Sequence, residues 1–391
     1  MLHSILVLNS GSSTVKYRLF YSEGQNDYRT RAKGLIELSQ SNLNENPESA
    51  LKHAIGSMVE TLRGEGHLIG QGPSAIGHRV VHGGSLYSKA TRITEEVMGA
   101  LASTLPLAPL HNPSNLLGIE VCRKYWPDTP QVAVFDTAFH QSMPAAAFRY
   151  AIPEDWYQHH GIRRYGFHGS SYASILRSAA THFGRATSSL NLIVFHLGNG
   201  ASACAIQNGQ SVHTSMGMTP LSGLVMGTRS GDLDPGILFY LAEVGGLTLS
   251  DMDDRLNHAS GLKGLSGDSD MRKLLERHHL GDSAASLALE IFIERIRDYL
   301  GAYLLKVRNL DAIIFTGGIG EHALEIVQRI CADLEVFGIV LSKSNELTGQ
   351  GIQTLTEALS RVPVLIVPTD EELEIAFQTS ELLAMNSGGA E

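Results

Sequence analysis

The chain has 391 residues, of which 43% are hydrophobic and 18% charged, and its formal net charge is −10. That length leaves room for two domains with full cores, in the composition of an ordinary globular protein. With no run of Lys or Arg, neither nucleic acid nor an anionic membrane is expected as a partner. An anionic substrate must then be held by a few placed cations, not by a basic field. Cys122, Cys204 and Cys331 stand far apart without a C-x-x-C pair, which fits a reducing compartment. The N-terminus reads as lacking a basic leader, and no stretch approaches the roughly 18 apolar residues of a membrane span. A cytoplasmic location is expected.

In chain order, Ile5–Leu8 and Val15–Phe20 are apolar, β-prone runs around the turn Asn9-Ser10-Gly11-Ser12-Ser13-Thr14, which predicts a hairpin. Residues 40–50 read as a polar loop and residues 50–63 as a helix. "SAIGHRVVHGG" is a short strand running into a glycine turn, and "PQVAVFDTAFH" is a buried strand, Val132 to Phe135, ending at Asp136. Strands and helices alternate from there, which predicts an α/β fold. The opening pattern returns in "LNLIVFHLGNGASACAI", where Gly198-Asn199-Gly200-Ala201-Ser202 stands 189 positions after Asn9-Ser10-Gly11-Ser12-Ser13. That spacing points to a duplicated domain. The boundary is expected near 145–165, giving domains 1–150 and 151–370. Residues 284–306 form a long helix with Ala288, Phe292, Ile296, Tyr299 and Tyr303 on one face. Next come a strand at Asp311–Phe315 and the Gly-rich helix start "TGGIGEHALEIVQRI". A further strand is read at Val336–Leu341, then "VPVLIVP". Thr369 and Glu372 are spaced as a capping box for the last helix.

Three strand–glycine loops (9–14, 198–202 and 316–320) carry the chemistry. Taken singly, each is a turn. Three in one chain fit a ligand with several phosphates, because backbone N–H groups in such turns converge on anionic oxygens and glycine lets the backbone come close. There is no G-x-x-x-x-G-K-[ST]. Arg79 in "GHRVVHGG" and Arg229 in "GLVMGTRSGDLDP" sit in Gly-rich, apolar company. Each is either half of a structural ion pair or a forked donor for a transferring phosphoryl group. Asp136 ends a strand, where α/β sheets bind ligands, but a turn aspartate would look the same. Glu371 either favours the last helix through its dipole or holds Mg²⁺ through water. His111, His168 and His196 each lie beside Gly, Pro or an apolar strand end. No H-E-x-x-H, clustered His/Cys set or G-x-S-x-G occurs, so neither a zinc site nor a serine-hydrolase elbow is read. Gly318-Ile319-Gly320-Glu321-His322-Ala323 matches G-x-G-x-x-A, which keeps an NAD-dependent dehydrogenase as a rival. That rival lacks an acidic residue at the end of the next strand, which reads Ser342-Lys343.

"LNSGSSTVKY", "GHRVVHGG", "LAPLHNPSNLLGI", "VAVFDTAFH", "RRYGFHGSS", "HLGNGAS", "TSMGMTPLSGLVMGTRSGDLDP", "FTGGIGEHA" and "VPTDEELEIA", in this order, resemble the acetokinase family. That family belongs to the superfamily of actin, sugar kinases and heat-shock chaperone ATPases. The resemblance covers nearly the whole chain. It implies two duplicated ribonuclease-H-like, actin-like ATPase domains with an interdomain active-site cleft, the last helix (371–391) returning to the first domain. It also implies a homodimer built through the second domain, and reversible transfer of a phosphoryl group from ATP to acetate, giving ADP and acetyl phosphate. The cofactor would be Mg²⁺, with Mn²⁺ as an alternative ion.

Carried onto this chain, the resemblance implies a metal site at Asn9 and Glu371. Arg79 and Arg229 would bind the carboxylate or acyl phosphate, with Asp136 as a catalytic acidic residue that orients an arginine and the metal's waters. His168, with His111, would stabilise the transferring group. Ser12, Thr14 and Lys16 would complete the first phosphate loop, and His196, Gly198, Asn199 and Gly200 the second. Asp270, Arg272, Gly317, Gly318, Ile319, Gly320 and Glu321 would line the nucleotide pocket. Val81, Leu110, Phe167 and Pro220 would enclose the acetate methyl. The chain departs from the family pattern at His213 (usually Asp), Tyr172 (usually His) and His322 (usually Asn). Propionate or another short-chain carboxylate is the alternative substrate, and a non-catalytic actin-like nucleotide-binding protein is the alternative from another class.

Overall fold

In a computed structural model, the described residues are 4–11, 13–24, 27–38, 46–68, 72–109, 111–342 and 351–387. Ser12, Leu110, Lys343 and the stretch 40–45 of the expected polar loop lie outside them. The strands are β1 (Ser4–Ser10), β2 (Thr14–Gly24), β3 (Asp27–Glu37), β4 (Ala75–Val80), β5 (Thr91–Arg92), β6 (Gln131–Phe135), β7 (Leu192–Leu197), β8 (Ala201–Gln207), β9 (Gln210–Thr214), β10 (Ala312–Thr316), β11 (Gln353–Thr354) and β12 (Val364–Ile366). The helices needed below are α1 (Pro47–Gly64), α2 (Asn112–Tyr125), α3 (Gly169–Phe183), α4 (Gly236–Glu243), α5 (Met271–His279), α6 (Ser283–Lys306), α7 (Gly317–His322) and α8 (Glu371–Ser387).

The chain divides into two compact units. The first holds Met1–Gln141, Gly169–Ser174 and Asp370–Glu391; the second holds Ser142–His168 and Ile175–Thr369. The first unit's sheet runs β3-β2-β1-β4-β6-β5, and the second's runs β11-β12-β10-β7-β8-β9. Read from the other edge, the second order is the first with six added to each strand number. The pairing directions repeat as well. In the first unit β1 is antiparallel to β2 and parallel to β4, which is parallel to β6. In the second, β7 is antiparallel to β8 and parallel to β10, which is parallel to β12. The low-identity repeat in the sequence is therefore a repeat of topology.

Apart from β4, which carries His78 and Arg79, the central parallel strands read as mainly apolar runs because both faces are covered. In the first unit Leu6 and Leu8 pack with Leu51, Ile55, Met58, Val59 and Leu62 of α1 on one face. Ile5 and Val7 pack with Ile375 and Ala376 of α8 on the other. Helix α1 begins where Asn46 Oδ1 accepts the Ser49 N–H at 3.0 Å, a side-chain cap for an otherwise orphaned donor. In the second unit Phe195 and Phe315 stack across β7 and β10 at 5.3 Å, and Ala288, Phe292, Ile296 and Tyr303 of α6 are buried as their spacing predicts. Tyr299 on that same face is only half-buried, and its hydroxyl donates to Asp232 at 2.6 Å.

Two local expectations are corrected. No strand occupies Val336–Leu341. Leu334–Phe337 is a 3₁₀ turn, and Leu341 makes a single bridge to Thr356. Gly338, at φ +77°, turns the chain there. The last helix is capped by Asp370, not by Thr369 with Glu372: Asp370 Oδ1 accepts the Leu373 N–H at 3.0 Å. Asp370 is also held by Arg18, whose Nη1 lies 2.8 Å from both carboxylate oxygens.

Gly77 shows how closely α8 lies on the first sheet. A Cβ there would sit 2.5 Å from Thr379 Oγ1 and 2.8 Å from Ile375 Cγ2. Gly77→Val is expected to lower stability by about 1–3 kcal/mol, the usual range for overpacking. A denaturant melt of the variant against the parent checks it, and an unchanged midpoint refutes the close packing.

Candidate functional site

The carboxyl ends of the central parallel strands carry the polar side chains of each unit. In the first unit β4 delivers Arg79 and β6 ends at Asp136. Arg79 Nε lies 3.0 and 3.1 Å from the two Asp136 carboxylate oxygens, and Nη2 lies 2.5 Å from Oδ2. The aspartate side chain is only 2% exposed and the arginine 22%, a desolvated pair with bidentate geometry. The backbone fixes it as well: Asp136 N–H donates to Val80 O at 3.1 Å, and Gly169 N–H donates to Asp136 O at 2.9 Å. Residue 169 has to be glycine, since a Cβ would lie 2.2 Å from that same oxygen. Burial by itself would weaken the Arg79 charge. Asp136 and Glu371 outweigh it and hold the guanidinium firmly protonated.

Glu371 opens α8 beside this pair. Its carboxyl is pushed up, first by burial and then by Asp136 and Glu372, against the pull of Arg79 and Lys16. Lys16 makes an ion pair with Glu372 and stands opposite Asn9 in the β1–β2 ladder. The register therefore brings Asn9, Lys16 and the start of α8 to one end of the sheet. The expected six-residue loop is tighter than its composition implies. Asn9, Ser10 and Thr14 lie in strands, and Gly11 N–H donates to Thr14 O at 2.8 Å.

Helix α2 ties this loop to the end of β4. Asn115 accepts from Val81 N–H at 3.0 Å and donates to Ser10 O at 2.7 Å. Asn112 brackets the backbone of His82, accepting from its N–H at 3.1 Å and donating to its carbonyl at 2.9 Å. His82 is buried, and burial pushes its ring down to about 4, so it is neutral and its Nδ1 accepts the Gly84 N–H at 2.9 Å. His111 stands just before α2, and its N–H donates to Ala108 O.

The second unit gathers its own set. His196, next to last in β7, stands opposite Thr316 of β10, and the turn after the strand closes with Gly198 N–H donating to Gly200 O at 3.1 Å. The His168 and His196 rings lie 4.4 Å apart. A Cβ on Gly200 would stand 3.6 Å from both His168 Nε2 and Arg229 Nη1. The loop carrying Arg229 is anchored where Gly227 N–H donates to Asn199 O at 2.9 Å, and a Cβ on residue 227 would strike Asn199 Oδ1 at 2.1 Å. Arg229 has no carboxylate partner among the described residues, and burial alone pulls its guanidinium below the ordinary range. Phe167 is buried. Tyr165 and Gly166, just before it, both donate backbone N–H groups to Gly217 O, three residues before the half-buried Pro220.

The third loop is no loop, because α7 begins directly after β10. Gly317 adopts φ +78°, and a Cβ there would lie 2.7 Å from Leu197 O, so only glycine serves. One Glu321 carboxylate oxygen accepts from Gly317 N–H at 2.9 Å, and from Thr316 Oγ1 and Thr369 N–H at 3.2 Å each. That oxygen shapes the strand end. Gly318 N lies 4.0 Å from where a Gly198 Cβ would be, which brings the two strand ends together. Asp270 and Arg272 bond mainly to each other. Asp270 caps α5 by accepting the Arg272 N–H at 3.0 Å, and the Arg272 side chain, by hydrogen bonding, holds its carboxyl down to about 2.

Among the described residues, no group of three or more His, Cys, Asp or Glu side chains could hold a metal ion by itself. The donors around Glu371 still suit Mg²⁺, which takes one or two carboxylates and keeps several waters. Asp136 and Glu372, which add to the burial that raises Glu371, are negative charges that a divalent cation would offset.

Sequence reasoning passed over Asn112, Asn115, Ser170 and Ser202. Ser170 Oγ lies 3.4 Å from Asp136 Oδ1, and Ser202 Oγ lies 2.9 Å from His168 Nδ1. The available signal was polarity on a buried face: Asn112 and Asn115 sit one helical turn apart, and Ser202 lies in an otherwise small and apolar strand. Two of the three expected departures from the family pattern are absorbed by packing, and the third, His322, is exposed. His213 Nδ1 lies 3.0 Å from Tyr303 OH, and Tyr172 is buried against Phe139 and His140.

A twice-repeated α/β unit, each copy with charged and glycine-rich strand ends, defines a duplicated-domain phosphotransferase. Residues 4–377 match the model of the acetokinase family, and the chain belongs to that family. It is 45% identical to an acetate kinase of Sulfurovum sp. (strain NBC37-1), over 97% of this chain and 99% of the relative. It is 44% identical to one from Helicobacter pylori, over 97% and 98%. Its fold is similar to the crystal structure of Porphyromonas gingivalis acetate kinase, with a TM-score of 0.89 and 38% identity over 97% of this chain and 99% of that one. A propionate kinase from Francisella tularensis is similar at a TM-score of 0.85 and 37% identity, over 97% and 100%.

A carboxyl raised on folding contributes stability that is complete below its unfolded value, near 4.5, and is lost as pH rises through its folded value. Without divalent metal, Glu371→Gln should therefore gain stability over the parent as pH rises from 4.5 toward neutrality. Thermal melts across that range check the sign, and a variant that loses stability with rising pH contradicts it.

Proposed function

We propose that the chain catalyses reversible transfer of a phosphoryl group from ATP to acetate, giving ADP and acetyl phosphate. The observation that carries this reading is Arg229, a half-buried guanidinium without a carboxylate partner among the described residues, set beside Gly200 and His168 in a chain of net charge −10. A partly desolvated cation in that state fits an anionic ligand.

A carboxylate is already a nucleophile at neutral pH, so no general base is required. The barrier is electrostatic, since one anion must approach a polyanion, and charge neutralisation with positioning supplies most of the catalysis. Arg79, held by Asp136, binds the carboxylate or the acyl phosphate. Arg229 and His168 steady the transferring group, with His111 assisting. Thr14 and Lys16, the His196–Gly200 turn, Gly317–Gly320 and the Asp270–Arg272 pair are assigned to ATP, and Val81, Phe167 and Pro220 to the methyl group. Asn9 and Glu371 would hold a divalent ion, Mg²⁺ before Mn²⁺, and the ion would neutralise phosphate charge when bound. Transfer is direct and in line. Propionate is the second reading, favoured by the likeness to the Francisella enzyme. One methylene is worth only about 1–3 kcal/mol of discrimination.

We infer a homodimer through the second unit. Phe239 (69% exposed), Tyr240 (63%) and Val244 (67%), in and just after α4, present an apolar surface suited to a second copy. Three free, buried cysteines accord with a cytoplasmic enzyme, and no helix among the described residues is long and apolar enough to cross a membrane.

Arg229→Ala should keep the melting profile, whereas Arg79→Ala should lower it by leaving Asp136 buried without its partner; each should lose about a hundred- to a thousandfold in turnover, roughly 3–4 kcal/mol. A hydroxylamine trap for acyl phosphate, run with ATP, Mg²⁺ and acids from formate to butyrate, measures this and ranks the substrates. Parental rates in either variant would remove the arginines from the mechanism. Phe239→Asp should convert the dimer to monomer in light scattering, and an unchanged mass rules out this face.

A further inference from the structure

His168 stands in a conformation that its residue type seldom adopts. Its backbone is left-handed, at φ +61° and ψ +26°, a region that disfavours every residue with a Cβ. In that position Nδ1 lies 2.9 Å from Ser202 Oγ. Ser202 is fully buried in β8, between Ala201 and Ala203, and stands directly opposite His196 in the antiparallel ladder. Cross-strand partners share a face, and the His168 ring lies against His196 on it. The far nitrogen, Nε2, stands 3.6 Å from where a Gly200 Cβ would be, and so does Arg229 Nη1. One ring nitrogen is thus engaged by a hydroxyl in the sheet, and the other is turned toward the space shared by Gly200 and the arginine.

We propose that Ser202 is a positioning residue which fixes the tautomer of His168. Its hydroxyl donates to Nδ1, so Nε2 carries the hydrogen and offers it to the transferring phosphoryl group. A neutral imidazole has one donor nitrogen and one acceptor, and the partner of one decides the role of the other. With the tautomer reversed, an Nε2 lone pair would face phosphate oxygens and repel them. The left-handed backbone of His168 is the strain accepted for bringing Nδ1 to it. The inference rests on the assignment of His168 to the transferring group.

The test uses the full-length protein labelled with ¹⁵N-histidine, with His168→Gln serving to assign the His168 resonances. The parent should show Nε2 protonated and Nδ1 with acceptor character. Ser202→Ala should shift His168 toward the other tautomer and lower kcat roughly tenfold, the worth of one hydrogen bond, with KM for ATP within about twofold. Ser202→Thr, which keeps the hydroxyl, should restore the parental resonances and most of kcat. A parent with Nδ1 protonated overturns the proposal whether or not any variant folds. So does Ser202→Ala with parental kcat and tautomer, provided His168→Gln is inactive. If His168→Gln keeps full turnover, the functional assignment of His168 fails instead.

Discussion

A carboxylate almost wholly removed from water is the feature around which the first unit is arranged. Asp136 is buried at the end of β6, and an isolated charge there would be strongly unfavourable. The forked contact with Arg79 from the adjacent parallel strand makes it stable, and it also fixes the guanidinium in one orientation. Much else follows from keeping that pair together. Residue 169 must be glycine so that the backbone can donate to Asp136 O. Helix α8 must lie close enough for Glu371 to act on the pair, and residue 77 must be glycine to allow that approach.

The second unit solves a different electrostatic problem on the same topology. Among the described residues its arginine has no carboxylate to orient it, and the backbone holds its loop in place instead. The loop bearing Arg229 is gripped by Asn199 O at Gly227. It is also gripped by the start of the helix Gly261–Ser266, where Leu262 and Lys263 donate to Met226 O and Gly227 O at 2.9 Å each. Gly261, at φ +61°, lies so close that a Cβ would meet Met226 O at 2.2 Å. A charge held by backbone keeps its full field for a ligand, whereas a charge held by a carboxylate is partly neutralised. The first arginine is therefore suited to fixed orientation and the second to meeting added negative charge.

Much of the fold was legible in the chain. The strands β1, β6, β7 and β10 contain the apolar runs Ile5–Leu8, Val132–Phe135, Leu192–Phe195 and Ala312–Phe315, because parallel strands covered on both faces need no polar alternation; β4 departs from this with His78 and Arg79. The duplication was visible in the strand–turn–strand pattern 189 positions apart. Reading failed where local signals compete. The run Val336–Leu341 is apolar enough for a strand, but Gly338 in the left-handed region breaks it. Thr369 and Glu372 have capping-box spacing, yet Asp370 is the better acceptor and is already fixed by Arg18 from β2. The glycines of 316–320 suggested a loop, and the chain instead enters a helix at once because Glu321 folds back onto the Gly317 N–H.

By itself the sequence determined the residue types that chemistry with an anion needs: two arginines in apolar company, three glycine-rich strand ends, and acids at the ends of a strand and a helix. Those choices are local, set by what a side chain or a glycine can do at a turn. Only the tertiary structure decided which groups serve each other. Asn115 links residues 10 and 81, Ser202 meets His168, and Asp370 with Arg18 seats the last helix, across 34 to 352 positions of chain. Contacts over such separations leave no periodic trace in sequence, because they depend on which strands lie side by side, and that is settled only when the sheets close on their cores.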